Sequence, residues 1–234
     1  MRPILAATLS GALLLTAACG SDDPTTSSSA PSKTPATTAP PAAPLGEATL
    51  KGALLTAADL PSGFTETDPT SDDTPTDPGA SACERFLDEL ETFGDSASAK
   101  VEVEFEKGED AGVGHLLVSY ADEAAATAEL AKVKALVADC GSFTSESDGL
   151  TSRGSITKLG LTGLSPDGIA LNATFTFSAP GVPASSFGVD LSAARAGTTL
   201  SLVIFGDGGA APVDHKVTER LGALAYTDLK AAAG

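Results

Sequence analysis

The hydrophobic and polar positions along the chain fall into three regimes. From Ile4 to Leu15 the residues are uncharged and mostly apolar, preceded by Arg2 and followed by Thr16-Ala17-Ala18-Cys19. A charged start, an apolar run of about 7–15 residues and small residues at its end describe a secretory signal, too short for a span of about 20. Residues 20–46 then lose all periodicity: ten of these 27 are Ser or Thr, six Pro and five Ala, a composition that cannot bury a core and reads as a tether. Proline at this density favours an extended chain of about 3.1 Å per residue, a reach on the order of 80 Å. From about 47 onward apolar periodicity begins, and all nine Phe and both Tyr lie at or beyond Phe64. The expected organisation is a signal over 1–18, a tether over 19–46 and one domain over 47–234, long enough for a single sizeable core.

Within that domain the pattern predicts specific elements. Thr56 with Asp59 three residues on is a capping pair for one or two helical turns that Pro61 and Gly63 end. A helix over 82–93 puts Cys83, Phe86, Leu87, Leu90 and Phe93 on one side, and 100–106 alternates strictly between Val101, Val103, Phe105 and Glu102, Glu104, Glu106. A second strand over 114–120 closes a hairpin, and a long helix runs to Asp139 with Leu130, Val133 and Val137 as its stripe and Cys140 at its end. Four further strands are expected near 154–160, 168–177, 186–195 and 198–205, then a last helix from Pro212 with Val213, Val217, Leu221 and Leu224 facing inward. Parallel strands would each need a crossover helix, so this order predicts an α+β fold: a mainly antiparallel sheet of about six strands flanked by helices.

Charge narrows the function. With 14 Lys and Arg against 31 Asp and Glu, the net charge is −17, and no basic block offsets it, which excludes nucleic acid as a partner. Residues 66–110 carry fifteen acidic against three basic residues, so most of the acidity is local. Asp68, Asp72, Asp73 and Asp77 do not have EF-hand spacing, and two His and three Cys are too few for a multi-histidine metal centre, so no metal and no cofactor are expected. Cys83 and Cys140 are an even pair in an exported domain, and without a C-x-x-C motif a structural disulfide is favoured over redox or free thiols.

Catalytic patterns are absent. GLSPDG at 163–168 is not a nucleophile elbow, because Pro166 removes a backbone N–H that such a turn uses. No P-loop or dinucleotide fingerprint occurs, and the expectation is a domain that is not an enzyme, with no catalytic residue assigned. Polar residues that interrupt apolar strands, His115, Asn172, Asp190 and Arg195, are the candidates for a ligand cleft, against the alternative that each is an outward-facing strand position.

Two sets of residues carry a resemblance. Ala17-Ala18-Cys19 resembles the lipobox of bacterial lipoproteins, with Thr16 where a branched aliphatic is usual. It implies cleavage after Ala18 and a diacylglycerol on the Cys19 thiol, and two acyl chains anchor stably where one is marginal. That lipobox with the Ser/Thr/Pro/Ala tether, LLTAADLPSGF at 54–64, VADCGSF at 137–143 and a final amphipathic helix resembles actinobacterial lipoproteins with a PknH-like extracellular sensor domain. The resemblance implies an antiparallel sheet with flanking helices around a small-ligand cleft and intramolecular disulfides, of which only Cys83–Cys140 can form here. The expected function is a lipid-anchored domain at the outer face of the membrane that binds a small ligand or an envelope protein. The alternative is a lipid or glycolipid carrier with an apolar cavity.

Overall fold

The computed structural model describes residues 43–69, 82–108, 111–147, 149–207, 209 and 212–234. The signal, Cys19 and all but the end of the tether lie outside the described residues, as do Asp72, Asp73 and Asp77 of the acidic loop.

The domain is α+β, built on one eight-stranded sheet. Its elements in chain order are α1 (Glu47–Lys51), a 3-10 turn (Ala57–Asp59), β1 (Thr65–Thr67), α2 (Ala82–Glu91), β2 (Ala99–Lys107), β3 (Ala111–Ser119) and α3 (Glu123–Asp139). Then follow β4 (Ser142–Ser147), β5 (Leu150–Lys158), β6 (Ile169–Ala179), β7 (Val182–Ala196), β8 (Thr199–Asp207) and α4 (His215–Ala233). Spatial order is β1-β2-β3-β8-β7-β6-β5-β4, every neighbouring pair antiparallel. The chain therefore leaves the middle of the sheet after β3, crosses one face as α3, and starts again at the far edge. A meander from β4 to β8 brings it back beside β3.

The alternation read from the sequence sets which side chains go where. Val118, Leu200, Leu202, Leu191, Ala193, Ile169, Leu171 and Ile156 form one face and pack under Phe86 of α2 and Ala126, Leu130, Val133 and Val137 of α3. Val103, Phe105, Val113, Val203 and Phe205 form the other, under Leu221 and Ala225 of α4 and the Leu55–Phe64 segment. Leu50 and Ala53 at α1 close the corner against Val101, Leu117 and Leu229. Asp122 caps α3, its carboxylate accepting from the Ala125 N–H at 2.8 Å. Thr56 and Asp59 do pair, the carboxylate accepting both the Thr56 N–H and its hydroxyl, but they support only a three-residue 3-10 turn.

The strand count differs from the expectation of about six. β1 and β4 are the two added strands, and both are edges. β4 reads SFTSES, polar because one side is unpaired, with Phe143 as its single large apolar residue. That ring lies over Gly154 of β5, where any side-chain Cβ would overlap it. α2 ends at Glu91, two residues before the expected limit, and Phe93 is buried in the following turn. The side chain of Leu87 lies outside the described residues.

Cys83 and Cys140 form a disulfide joining α2 to the end of α3. Their separation of 57 residues makes the closed loop long, and the chain-entropy model gives about 4 kcal/mol. Cys83→Ser is expected to lower unfolding free energy in urea by about that amount, and reduction of the unmodified chain should give the same loss.

His115 of β3 is buried to 1% exposure in the core on the α4 side, not at a cleft. The Leu55 N–H donates to its Nδ1 at 3.0 Å, so Nε2 carries the proton and donates to Ser201 Oγ, also at 3.0 Å. Burial lowers its pKa to about 3. The unfolded chain takes up this proton near 6.5, the folded one near 3, so the stability held above pH 6.5 is lost as the pH falls between those values. The expected loss is a few kcal/mol across that window. His115→Gln should flatten the slope of unfolding free energy against pH there by about one proton, whatever its effect on absolute stability.

Candidate functional site

The face of β6 and β7 under the start of α4 is polar where the same face of β2 carries Val101, Val103 and Phe105. Antiparallel register puts Asn172 directly opposite Asp190, and Thr176 opposite Ser186. Asp190 is 0% exposed, and three side chains donate hydrogen bonds to it. Asn172 Nδ2 donates to Oδ1 at 2.8 Å, and Oδ2 receives the Thr218 hydroxyl at 2.8 Å and His215 Nδ1 at 2.7 Å. Three donors on one buried carboxylate offset the cost of removing it from water.

The helix supplies two of these donors by its own spacing. Asp214 caps α4, accepting the Lys216 N–H, which fixes His215 as the first helical residue and Thr218 three positions on, one turn apart on the same face. His215 is 46% exposed through its side chain, so the imidazole reaches from the buried carboxylate to solvent. With Nδ1 donating to Asp190, Nε2 is the ring nitrogen left without a partner among the described residues. Asn172 is likewise fixed from both ends, its Oδ1 accepting from the Thr174 hydroxyl at 3.3 Å.

These groups form the wall of an open pocket of about 280 Å³. Asn172, Thr174, Ser186, Gly188, Val213 and His215 line it. Gly188 has a packing reason: a Cβ there would overlap the Val213 side chain, closing the contact between β7 and the approach to α4. Chemically the site offers an oriented imidazole nitrogen, an oriented amide and hydroxyls. Ser186 Oγ is held by Thr176 Oγ1 at 2.9 Å, and no hydroxyl among the described residues is hydrogen-bonded to His215.

The four residues expected to line one cleft therefore separate. Asn172 reaches the pocket, and Asp190 organises it from beneath without being exposed. His115 belongs to the core. Arg195 is a clamp at the end of β7: Nε donates to Asp167 at 2.8 Å, one terminal nitrogen to Glu123 at 2.7 Å and to the Gly197 carbonyl, and its backbone N–H to Ser165 Oγ. Burial works against the Asp167 carboxylate, but the Arg195 guanidinium and the Ser165 hydroxyl hold its pKa below the ordinary value. His215 was not among the four, because its place in the site depends on how α4 packs across the sheet. The sequence signal that could have found it is its position, directly after a capping Asp and three residues before Thr218.

A pocket lined wholly by apolar residues lies elsewhere, between α2 and the opposite face, with Phe86, Leu90, Leu171, Phe175 and Leu191 among its walls. At about 130 Å³ it is well below the roughly 300–1,000 Å³ of ligand cavities, and too small for an acyl chain.

No protein-family model and no curated protein matches this chain. Among solved structures, the extracellular domain of PknH from Mycobacterium tuberculosis is similar in fold, with a TM-score of 0.55 at 13% sequence identity, over 82% of this chain and 98% of that one.

The geometry gives Asp190 and His215 unequal weights in stability. Asp190→Ala leaves the buried Thr218 hydroxyl and the Asn172 amide without their acceptor and should cost about 2–4 kcal/mol in urea unfolding. His215→Ala, at a half-exposed position, should cost under about 1 kcal/mol.

Proposed function

We propose that the chain is a lipid-anchored domain at the outer face of the membrane that binds a small, polar, uncharged ligand, without catalysis, in the pocket at the start of α4. The observation that carries this reading is the buried Asp190, which fixes His215 and Asn172 at the wall of an open pocket of about 280 Å³ and leaves Nε2 of the histidine unpartnered among the described residues. Two oriented polar groups over a rigid sheet give hydrogen-bond recognition at low ordering cost. No nucleophile is hydrogen-bonded to the imidazole among the described residues, which favours binding over group transfer. Recognition of an envelope protein through the same groups is the other form this reading takes.

Extracytoplasmic placement is supported by the export signal, by the Cys83–Cys140 disulfide and by the fold shared with an extracellular domain. Among the described residues no helix is long and apolar enough to cross a membrane, so the anchor of this reading is the diacylglycerol on Cys19. With a tether of 20–46 the pocket stands away from the bilayer.

Native mass spectrometry of the chain extracted from membranes tests both halves. The expected result is a small non-lipid adduct that is reduced at least tenfold in occupancy in His215→Ala and Asn172→Ala, and a Cys19→Ala chain that no longer sediments with membranes. An adduct of acyl mass would favour the carrier, and an adduct insensitive to both pocket substitutions would overturn this site.

A further inference from the structure

The loop joining β5 to β6, residues 159–168, borders a second open pocket of about 410 Å³, separate from the Asp190 site. Lys134 of α3 and Lys158 of β5 both line it, with Leu161, Gly163, Leu164, Ser165 and Gly168 of the loop. In a chain of net charge −17 two ammonium groups at one cavity call for a reason. Neither has a carboxylate partner among the described residues. Lys134 Nζ donates to the Asp167 backbone carbonyl, and Lys158 has no polar partner among the described residues.

The acids near the loop are already committed. Asp167 turns its carboxylate to Arg195, and Glu219 of α4 accepts the Thr162 N–H and hydroxyl. Thr162 and Gly168 spend their amides inside the protein, but those of Leu161, Gly163 and Leu164 have no hydrogen-bond partner among the described residues. Gly163 has φ +81°, the left-handed conformation that recurs in backbone concavities that bind anions. A Cβ at 163 would also overlap Ala223 of α4, so the residue there is confined to glycine twice over.

We infer that this pocket binds a phosphate group, held by the Lys134 and Lys158 ammoniums and by backbone amides of the 161–164 turn. Phosphate fits because it presents several acceptor oxygens and up to two negative charges to a set made only of donors. The inference is independent of the ligand proposed for the Asp190 pocket. The phosphate has two possible sources, a lipid headgroup or a soluble phosphate ester, and the chemistry at the site is common to both.

The test is a titration of the full chain with inorganic phosphate at constant ionic strength, read by the amide proton and nitrogen NMR shifts of Leu161, Gly163 and Leu164. Saturable shifts confined to this loop and its neighbours are expected. Lys158→Gln, an exposed substitution that leaves the fold intact, should weaken the phosphate affinity about tenfold, and Lys134→Gln by a similar factor. In a second arm, Cys19→Ala chain is sedimented with vesicles of phosphatidylglycerol or of phosphatidylcholine. Phosphatidylglycerol-dependent sedimentation lost in Lys158→Gln supports the site and assigns a lipid source. Phosphate shifts without sedimentation support it and assign a soluble one. Shifts absent from the three loop amides, or unchanged in Lys158→Gln, would overturn it.

Discussion

A single sheet with two apolar faces must be covered twice, and the crossover after β3 is the step on which every other contact depends. It takes the chain from the centre of the sheet to its far edge, laying α3 across one face and leaving the other to α4 and the short α1. Because the return is a meander of five strands, β8 closes beside β3 only when that crossing has the right length. The disulfide acts at this point: it pins α2 to the C-terminal end of α3, where the chain turns into β4. Neither helix layer spans the whole sheet, so pockets occur at the margins of coverage. One opens where α4 starts over β6 and β7, another where the 159–168 loop rounds the sheet end.

Two buried polar side chains show how the same interior settles charge in opposite ways. His115 is kept neutral, because it meets one amide donor and one hydroxyl and no carboxylate, and burial then drives its pKa down to about 3. Its bonds to Leu55 and Ser201 tie the 54–64 segment to β8 and serve packing. Asp190 is equally enclosed but meets donors only, and one of them, His215, extends to solvent. The depth of Asp190 is what makes His215 a positioned group, since an exposed carboxylate would hold the ring loosely and exchange it for water. A buried polar group becomes part of a site when its hydrogen-bond network reaches the surface, and a clamp when it does not. By that criterion Arg195, whose Nε and one terminal nitrogen end on the protein's own oxygens, belongs with His115.

Much of this was legible in the residues because strand alternation is local. The faces of β2, the stripe of α3 and the antiparallel α+β class all follow from spacing, and the cysteine pair from compartment and parity. β1 and β4 were illegible for one reason: an edge strand keeps a solvated side, so Ser142 to Ser147 carry the polarity of a loop. For the candidate site, polarity inside apolar strands marked His115, Asn172, Asp190 and Arg195 as unusual, and all four do have committed hydrogen bonds. Spacing could not say which face of which neighbour each would meet. His215 is the instructive omission, since its partner is 25 residues away on a different layer and becomes visible only when α4 is packed. The lysine pair is of the same kind, one residue from α3 and one from the end of β5.

The two extremes of charge in the domain are arranged so that neither cancels the other. Glu102, Glu104 and Glu106 stand on β2, next to the β1 edge, while Lys158 ends β5, next to the β4 edge. Five strand spacings of about 4.8 Å separate β2 from β5, roughly 24 Å. That is about three Debye lengths at physiological ionic strength, so the glutamates contribute little to the potential at the lysines. A strongly acidic chain can therefore keep one locally positive concavity, provided the carboxylates nearest to it are occupied. Asp167 and Glu219 meet that condition through Arg195 and Thr162, which gives the Arg195 clamp a second consequence beyond packing: it holds the carboxylate of the residue whose backbone carbonyl accepts from Lys134.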